Sequence, residues 1–179
     1  FKVAPEIASP PLPDSRRDSG EGIEFRSVWF AYDHKVNGQA VLKDINFALS
    51  PGRSLAIVGR TGAGKSTLVQ LLPRLYDVTS GEIRIGGKDL RALSLSELRK
   101  AMAYVPQDPF LFSTSLRRNL AFGRDGVSDE EIEKAVRVAR LDRDLEIFPQ
   151  GLDTIVGERG ITLSGGQKQR ATLARALLS

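Results

Sequence analysis

Ile23-Glu24-Phe25-Arg26 alternates apolar and polar side chains, the period of a strand with one buried face. The chain stays rich in β formers through Trp29 and Phe30. Asn37-Gly38 reads as a turn, and Ile45, Phe47 and Leu49 alternate again before Ser50-Pro51-Gly52, a second turn signal. Leu55-Ala56-Ile57-Val58 is a short unbroken apolar run leading into a glycine, the pattern of a buried parallel strand. After the glycine the period changes. Leu68, Val69, Leu71, Leu72 and Leu75 crowd one side of a helix, and Glu82 to Ile85 returns to strand, closed by Gly86-Gly87.

Ser94-x-x-Glu97 has capping-box spacing and predicts a short helix carrying Leu95, Leu98 and Met102. Ala103-Tyr104-Val105 is a second candidate core strand, stopped by Pro106. From Ser113 to Gly160 the pattern is mainly helical. Ser115 can cap a helix with Leu116 and Leu120; Ser128-x-x-Glu131 is a capping box ahead of Ile132, Ala135, Val136 and Ala139; a third helix fits 142–148 before Pro149-Gln150-Gly151 breaks it. Ser164-Gly165-Gly166 opens a last helical pattern that runs to Ser179.

Composition adds limits rather than chemistry. The 179 residues suffice for a core, and 41% hydrophobic with 27% charged residues is an ordinary globular balance. No run approaches the ~20 apolar residues of a membrane span, and nothing reads as a signal peptide. With no cysteine, disulfides and thiolate zinc sites are excluded. A formal charge of +4 comes from 26 basic residues interleaved with 22 acidic ones, so a solvated mixed surface is expected and no nucleic-acid partner. Pro5, Pro10, Pro11 and Pro13 make residues 1–21 a Pro-rich tether. The chain begins at Phe1, has Met102 as its one methionine and stops at Ser179 inside an apolar helical run, so both ends read as cut from something longer.

The chemistry concentrates in two runs. Gly59-Arg60-Thr61-Gly62-Ala63-Gly64-Lys65-Ser66 matches the Walker A pattern, with an apolar run before it and a helical pattern after it. Gly59, Gly62 and Gly64 let successive N–H groups turn inward onto phosphate oxygens, and the following helix adds its positive dipole end. Lys65 can reach the β- and γ-phosphates, and Ser66 offers a hydroxyl to Mg²⁺. Leu163-Ser164-Gly165-Gly166-Gln167 is the second run. Ser164 is a good N-cap, but two glycines directly after it weaken a helix. Bare N–H groups that let a phosphate approach closely account for that choice.

With these two runs the sequence resembles the nucleotide-binding domain of an exporter-type ABC transporter, from about Gly22 to Ser179. Val105-Pro106-Gln107-Asp108 resembles the family's Q-loop, and Thr154-Ile155-Val156-Gly157-Glu158-Arg159-Gly160 its exporter X-loop. The resemblance implies an α/β fold: a P-loop NTPase core with an antiparallel β subdomain and an α-helical subdomain, C-terminally incomplete. It divides the chain into a linker from a membrane domain (1–21), β subdomain and P-loop core (22–107), helical subdomain (108–163) and signature helix (164–179).

The resemblance also implies the site. ATP would lie on Gly59 to Ser66 and Thr67, with Tyr32 stacking on adenine; Lys65 and Gln107 would be catalytic, and Ser66 and Gln107 would serve Mg²⁺. Leu163 to Gln167 would meet the ATP of a second nucleotide-binding domain. Thr154 to Gly160 would face the coupling helices of a transmembrane domain, at the cytoplasmic face of a membrane. In the family a Walker B Asp, a catalytic Glu and a switch His follow the signature helix, and none occurs up to Ser179; His34 lies upstream of Walker A. The expectations are that residues 1–179 bind ATP but hydrolyse it negligibly, and that Ile57 and Val105 lack strand neighbours. Two alternatives stay open: a soluble ABC ATPase acting on DNA or ribosomes, and a non-catalytic nucleotide-binding module.

Overall fold

Strand β1 (Ile23–Phe30) is the centre of the one sheet among the described residues. The computed structural model describes residues 7–11, 22–32, 39–157 and 161–179. The expected turn at Asn37-Gly38, His34, most of the Pro-rich segment and Glu158 to Gly160 lie outside them. The chain divides into two compact units, residues 1–99 and 100–179.

In the first unit, β1 pairs antiparallel with β2 (Leu42–Leu49) on one side and β3 (Ser80–Ile85) on the other; β4 (Lys88–Asp89) completes the order β2-β1-β3-β4. The alternation at Ile23 to Arg26 holds only that far. Ser27 takes a left-handed φ of 44°, and the register shifts against both neighbours there. A bulge advances the chain one residue and flips the alternation. Phe25, Val28 and Phe30 therefore all face the core. Phe25 stacks on Phe47 across the pair at 4.4 Å.

Helix α1 (Lys65–Leu71) follows the glycine loop. It stops a turn earlier than the leucine spacing predicts. Pro73 has no N–H to continue the ladder, and Arg74 turns left-handed with φ 48°. Leu68 and Leu71 are buried as expected, whereas Leu75 is exposed. Helix α2 (Leu95–Lys100) buries Leu98 and donates a bond at its start, from the Leu95 N–H to Ser9 Oγ at 3.0 Å.

The two apolar runs read as core strands form no strand. Leu55 to Val58 and Ala103 to Val105 carry no ladder bonds, and Ile57, Val58 and Val105 are exposed, Val58 at 89%. Apolar composition selects residues that suit a sheet, but a strand exists only through bonds to neighbours. Among the described residues neither run has one, as expected for Ile57 and Val105.

The second unit is helical: α3 (Leu116–Leu120), α4 (Asp129–Val138), α5 (Asp142–Leu145) and α6 (Gly165–Leu177). Leu116, Leu120, Ile132, Val136, Leu141, Val156 and Ala174 belong to one buried cluster. The Ser128 capping box forms in full: the Ser128 N–H donates to Glu131 Oε2 at 2.9 Å, and the Glu131 N–H to Ser128 Oγ at 3.2 Å. The Ser128 N–H, joined by the Ser128 hydroxyl, holds the Glu131 carboxyl below its usual range. The helix expected over 142–148 is α only to Leu145. It continues as i→i+3 bonds from the Ile147 and Phe148 N–H groups to the Asp144 and Leu145 carbonyls.

Candidate functional site

The loop from Gly59 to Gly64 delivers the chain into α1 through a left-handed residue. Gly64 is the N-cap with φ 84°, and no side chain caps the helix. A Cβ at Gly64 would stand 2.8 Å from Leu42 Cδ2 and 3.2 Å from the Val41 carbonyl oxygen, in a conformation that L residues rarely adopt. Gly62 is also left-handed, with φ 83°. A helix start without a side-chain cap keeps N–H donors available to an anion. Lys65 folds over the loop: Nζ donates to the carbonyls of Gly59 at 2.8 Å and Arg60 at 2.7 Å. The same amine, released from those carbonyls, is within one side-chain length of any phosphate seated in the loop. Arg60, Thr61 and Ala63 are exposed along the loop, as is Ser66 behind Lys65.

Thr67 is buried, and its Oγ1 lies 2.8 Å from the Tyr32 hydroxyl, so the structure brings Tyr32 beside the loop. The Tyr32 hydroxyl also donates to Gln70 Oε1 at 3.4 Å. Tyr32 is 53% exposed, yet its ring packs edge-on against Phe30 at 4.8 Å and Tyr76 at 5.1 Å. An exposed ring with its edge and hydroxyl held can offer its face to a flat ligand. Tyr76 is a support that its place after α1 did not reveal.

These residues fit a nucleoside triphosphate: a left-handed glycine cradle, an ammonium, a hydroxyl and an available ring. They also fit Mg²⁺ arriving with it. Among the described residues no group of three or more His, Cys, Asp or Glu side chains could hold a metal. A site of that kind supplies one or two ligands, such as the Ser66 hydroxyl, and leaves the rest to phosphate oxygens and water. Gln107, the other expected ligand, belongs to the second unit, where it is exposed in a segment without regular structure.

In the second unit, Ser164 caps α6 as expected and does more. Its Oγ accepts from the Gln167 N–H at 3.3 Å, and Gln167 Oε1 accepts from the Ser164 N–H at 2.9 Å, a complete capping box. Leu163 just before it is buried. Nothing lies within 4 Å of a Cβ built on Gly165, and on Gly166 only Arg170 Nη1 comes near, at 3.4 Å. The chain's own packing therefore does not require either glycine. Both sit in the first helical turn at a conformational cost, on a surface left bare.

Thr154 to Gly157, the described part of the segment that resembles an X-loop, packs on the segment before α3. The Leu116 N–H donates to the Thr154 carbonyl at 2.9 Å and the Val156 N–H to the Thr114 carbonyl at 3.0 Å. Ile155 is exposed beside them. Pro109, Phe110, Val156, Gly157, Leu163 and Lys168 are among the residues lining a 320 Å³ hollow. Phe110, Phe112 and Phe122 form an exposed aromatic row, with successive ring centroids 5.0 and 4.4 Å apart.

Asn119 ties this row to α6, and sequence reasoning missed it. It is fully buried. Its Oδ1 accepts from the Phe112 N–H at 2.8 Å, and its Nδ2 donates to the Phe112 and Ser115 carbonyls. Arg175 on α6 donates to the carbonyls of Asn119 at 2.7 Å and Phe110 at 3.1 Å. Burial pushes the Arg175 guanidinium below its usual range. The signal was present in the spacing: Asn119 stands on the Leu116/Leu120 face, where an amide must find partners.

A strand-rich unit leading through a left-handed glycine loop into a helix, with Lys and Ser at the helix start, defines a P-loop nucleotide-binding protein. The comparisons narrow the class. The family model described as ABC transporter matches residues 42–179, so the chain belongs to the ABC transporter family. It is 48% identical over 93% of its length to an uncharacterized ABC transporter ATP-binding protein, YwjA, of Bacillus subtilis, covering 29% of that protein. It is 46% identical over 88% of its length to an ATP-dependent lipid A-core flippase of Syntrophus aciditrophicus, covering 26% of it. A bacterial Atm1-family ABC exporter solved with ATP bound superposes with a TM-score of 0.89 at 40% identity, covering 97% of this chain and 30% of that one. The chain thus spans under a third of these relatives, and its fold is that of an exporter nucleotide-binding domain. No helix among the described residues is long and apolar enough to cross a membrane.

Proposed function

We propose that this chain is the ATP-binding part of an exporter, and that two such domains close head to tail on ATP. The reading rests first on the uncapped start of α1, where Gly64 stands at φ 84° and Lys65 bends over the loop. Such a start is an incomplete anion site that a triphosphate completes. Gly59 to Thr67 hold the phosphates, Lys65 meets the terminal ones, and Tyr32 offers its face to adenine. Mg²⁺ bound with the nucleotide would neutralise phosphate charge, and the Ser66 hydroxyl would hold it. Leu163 to Gln167 present the bare turn of α6 to the nucleotide of the second domain.

The aromatic row and the described X-loop residues support a membrane-domain partner. Exposed, mutually packed aromatic rings are the composition of an interface. By this reading the coupling helices of a transmembrane domain seat there, at the cytoplasmic face, and ATP-driven closure is passed to them. The flippase and the Atm1-family exporter among the relatives support transport over action on DNA or ribosomes. None of the site residues is a carboxylate able to polarise water. Residues 1–179 alone are therefore expected to bind ATP and turn it over far below ~1 s⁻¹.

A fluorescent ATP analogue titrated into the protein, with sedimentation velocity in parallel, tests the reading. Saturable Mg²⁺-dependent binding with ATP-dependent pairing is expected. Binding that ignores Lys65→Ala, or pairing that ignores ATP, would refute it.

A further inference from the structure

Asp144 lies on α5, outside every motif, and is only 9% exposed. It accepts three side-chain bonds from the first two turns of α6. Arg170 donates from Nε to Oδ2 at 2.7 Å and from Nη2 to Oδ1 at 2.9 Å, a bidentate pair; Gln167 donates from Nε2 to Oδ1 at 3.2 Å. We propose that Asp144 is a positioning residue for the signature turn, fixing through the Gln167 amide how Ser164 and its two glycines meet the nucleotide of a second domain. The inference rests on the head-to-tail reading above.

An ionised carboxylate accepts and cannot donate. Gln167 must therefore turn its NH₂ arm toward Asp144. The two arms of an amide share one plane, so its carbonyl arm then faces the Ser164 N–H, where it accepts at 2.9 Å. That bond closes the capping box. Within it the Ser164 hydroxyl acts as acceptor from the Gln167 N–H, so its own proton is left for an acceptor from outside. The Arg170 guanidinium holds the Asp144 carboxyl below its usual range, so the group stays ionised at neutral pH. The same pairing cancels a negative charge that would otherwise oppose a phosphate.

A purely structural staple between α5 and α6 would show itself differently, and the intact protein containing this chain separates the two. Asp144→Asn keeps the shape but can offer Gln167 either a donor or an acceptor. ATP affinity at the P-loop, read by a fluorescent analogue, should not change. ATP-dependent pairing and kcat should fall about tenfold, the scale of one charged hydrogen bond. Asp144→Glu, which keeps the carboxylate, should recover most of the loss. Gln167→Ala should reproduce it, and adding Asp144→Asn to Gln167→Ala should lower pairing no further. Unchanged pairing in Asp144→Asn, additive losses in the double variant, or a loss that only follows a lowered melting temperature and ignores Asp144→Glu would each overturn the proposal. If Asp144→Asn does not fold, unchanged pairing in Gln167→Ala overturns it instead. An unaltered protein that binds ATP without pairing would overturn the head-to-tail reading and this proposal together.

Discussion

The helix start at Gly64 and the helix start at Ser164 solve the same local problem in opposite ways. Both leave the first N–H groups of a helix without intrahelical partners. At Gly64 no side chain answers them, and the nearest cation, Lys65, bonds instead to the carbonyls of its own loop. At Ser164 a complete capping box answers the Ser164 and Gln167 N–H groups, and Asp144 and Arg170 brace it from behind. The first turn is left open by the chain. The second is ordered by the chain's own side chains, with its glycines bare. On the reading proposed above, a turn that grips a ligand must be able to rearrange, whereas a turn that meets another molecule's ligand gains from being prebuilt.

The contrast can be broken or sharpened in four ways, from the largest effect downward. Lys65→Ala should weaken ATP binding by about 100-fold, the loss of a charged contact to phosphate, measured by nucleotide titration. The fold should be unaffected, because Lys65 bonds only to its own loop. An unchanged affinity would mean that the loop is not the cradle. Gly64→Ala should destabilise the first unit by about 1–2 kcal/mol in urea unfolding, from the left-handed φ alone, with further loss from the contact at Leu42.

Gly165→Ala should do the reverse. The site is open to a Cβ, so replacing glycine in the first turn should stabilise the helix by about 0.5 kcal/mol, while ATP-dependent pairing falls. Stability and pairing moving together would erase the distinction between the two turns. The smallest effect is in pH. Asp144 has a folded pKa below its ordinary value, chiefly through the Arg170 bond. Its contribution is therefore fully present above the unfolded value, about pH 4, and is lost as pH falls through the lower folded value. Urea midpoints between pH 3 and 7 should decline at the acid end, and less steeply in Asp144→Asn.

Much of this could be read beforehand wherever the cause is local. Ser128 and Glu131 stand three apart, and the bonds between them need only that spacing and a helix. The glycines before Lys65 announce left-handed turns, and two of the three take them. Reading failed wherever a partner far along the chain decides. Leu55 to Val58 has strand composition, yet without neighbouring strands it stays exposed coil. Leu75 fits the helical spacing, but Pro73 ends the helix first. The bulge at Ser27 leaves no signal in the alternation before it.

The sequence by itself determined the two helix starts, the caps and the family they carry, because those depend on residues a few positions apart. Only the tertiary structure decided that Tyr32 reaches Thr67, that Asn119 and Arg175 hold the aromatic row, and that Asp144 stands behind Gln167. These pairs lie between 23 and 56 residues apart along the chain. No spacing rule spans such distances; burial brings the groups together, and buried polar atoms must then find partners.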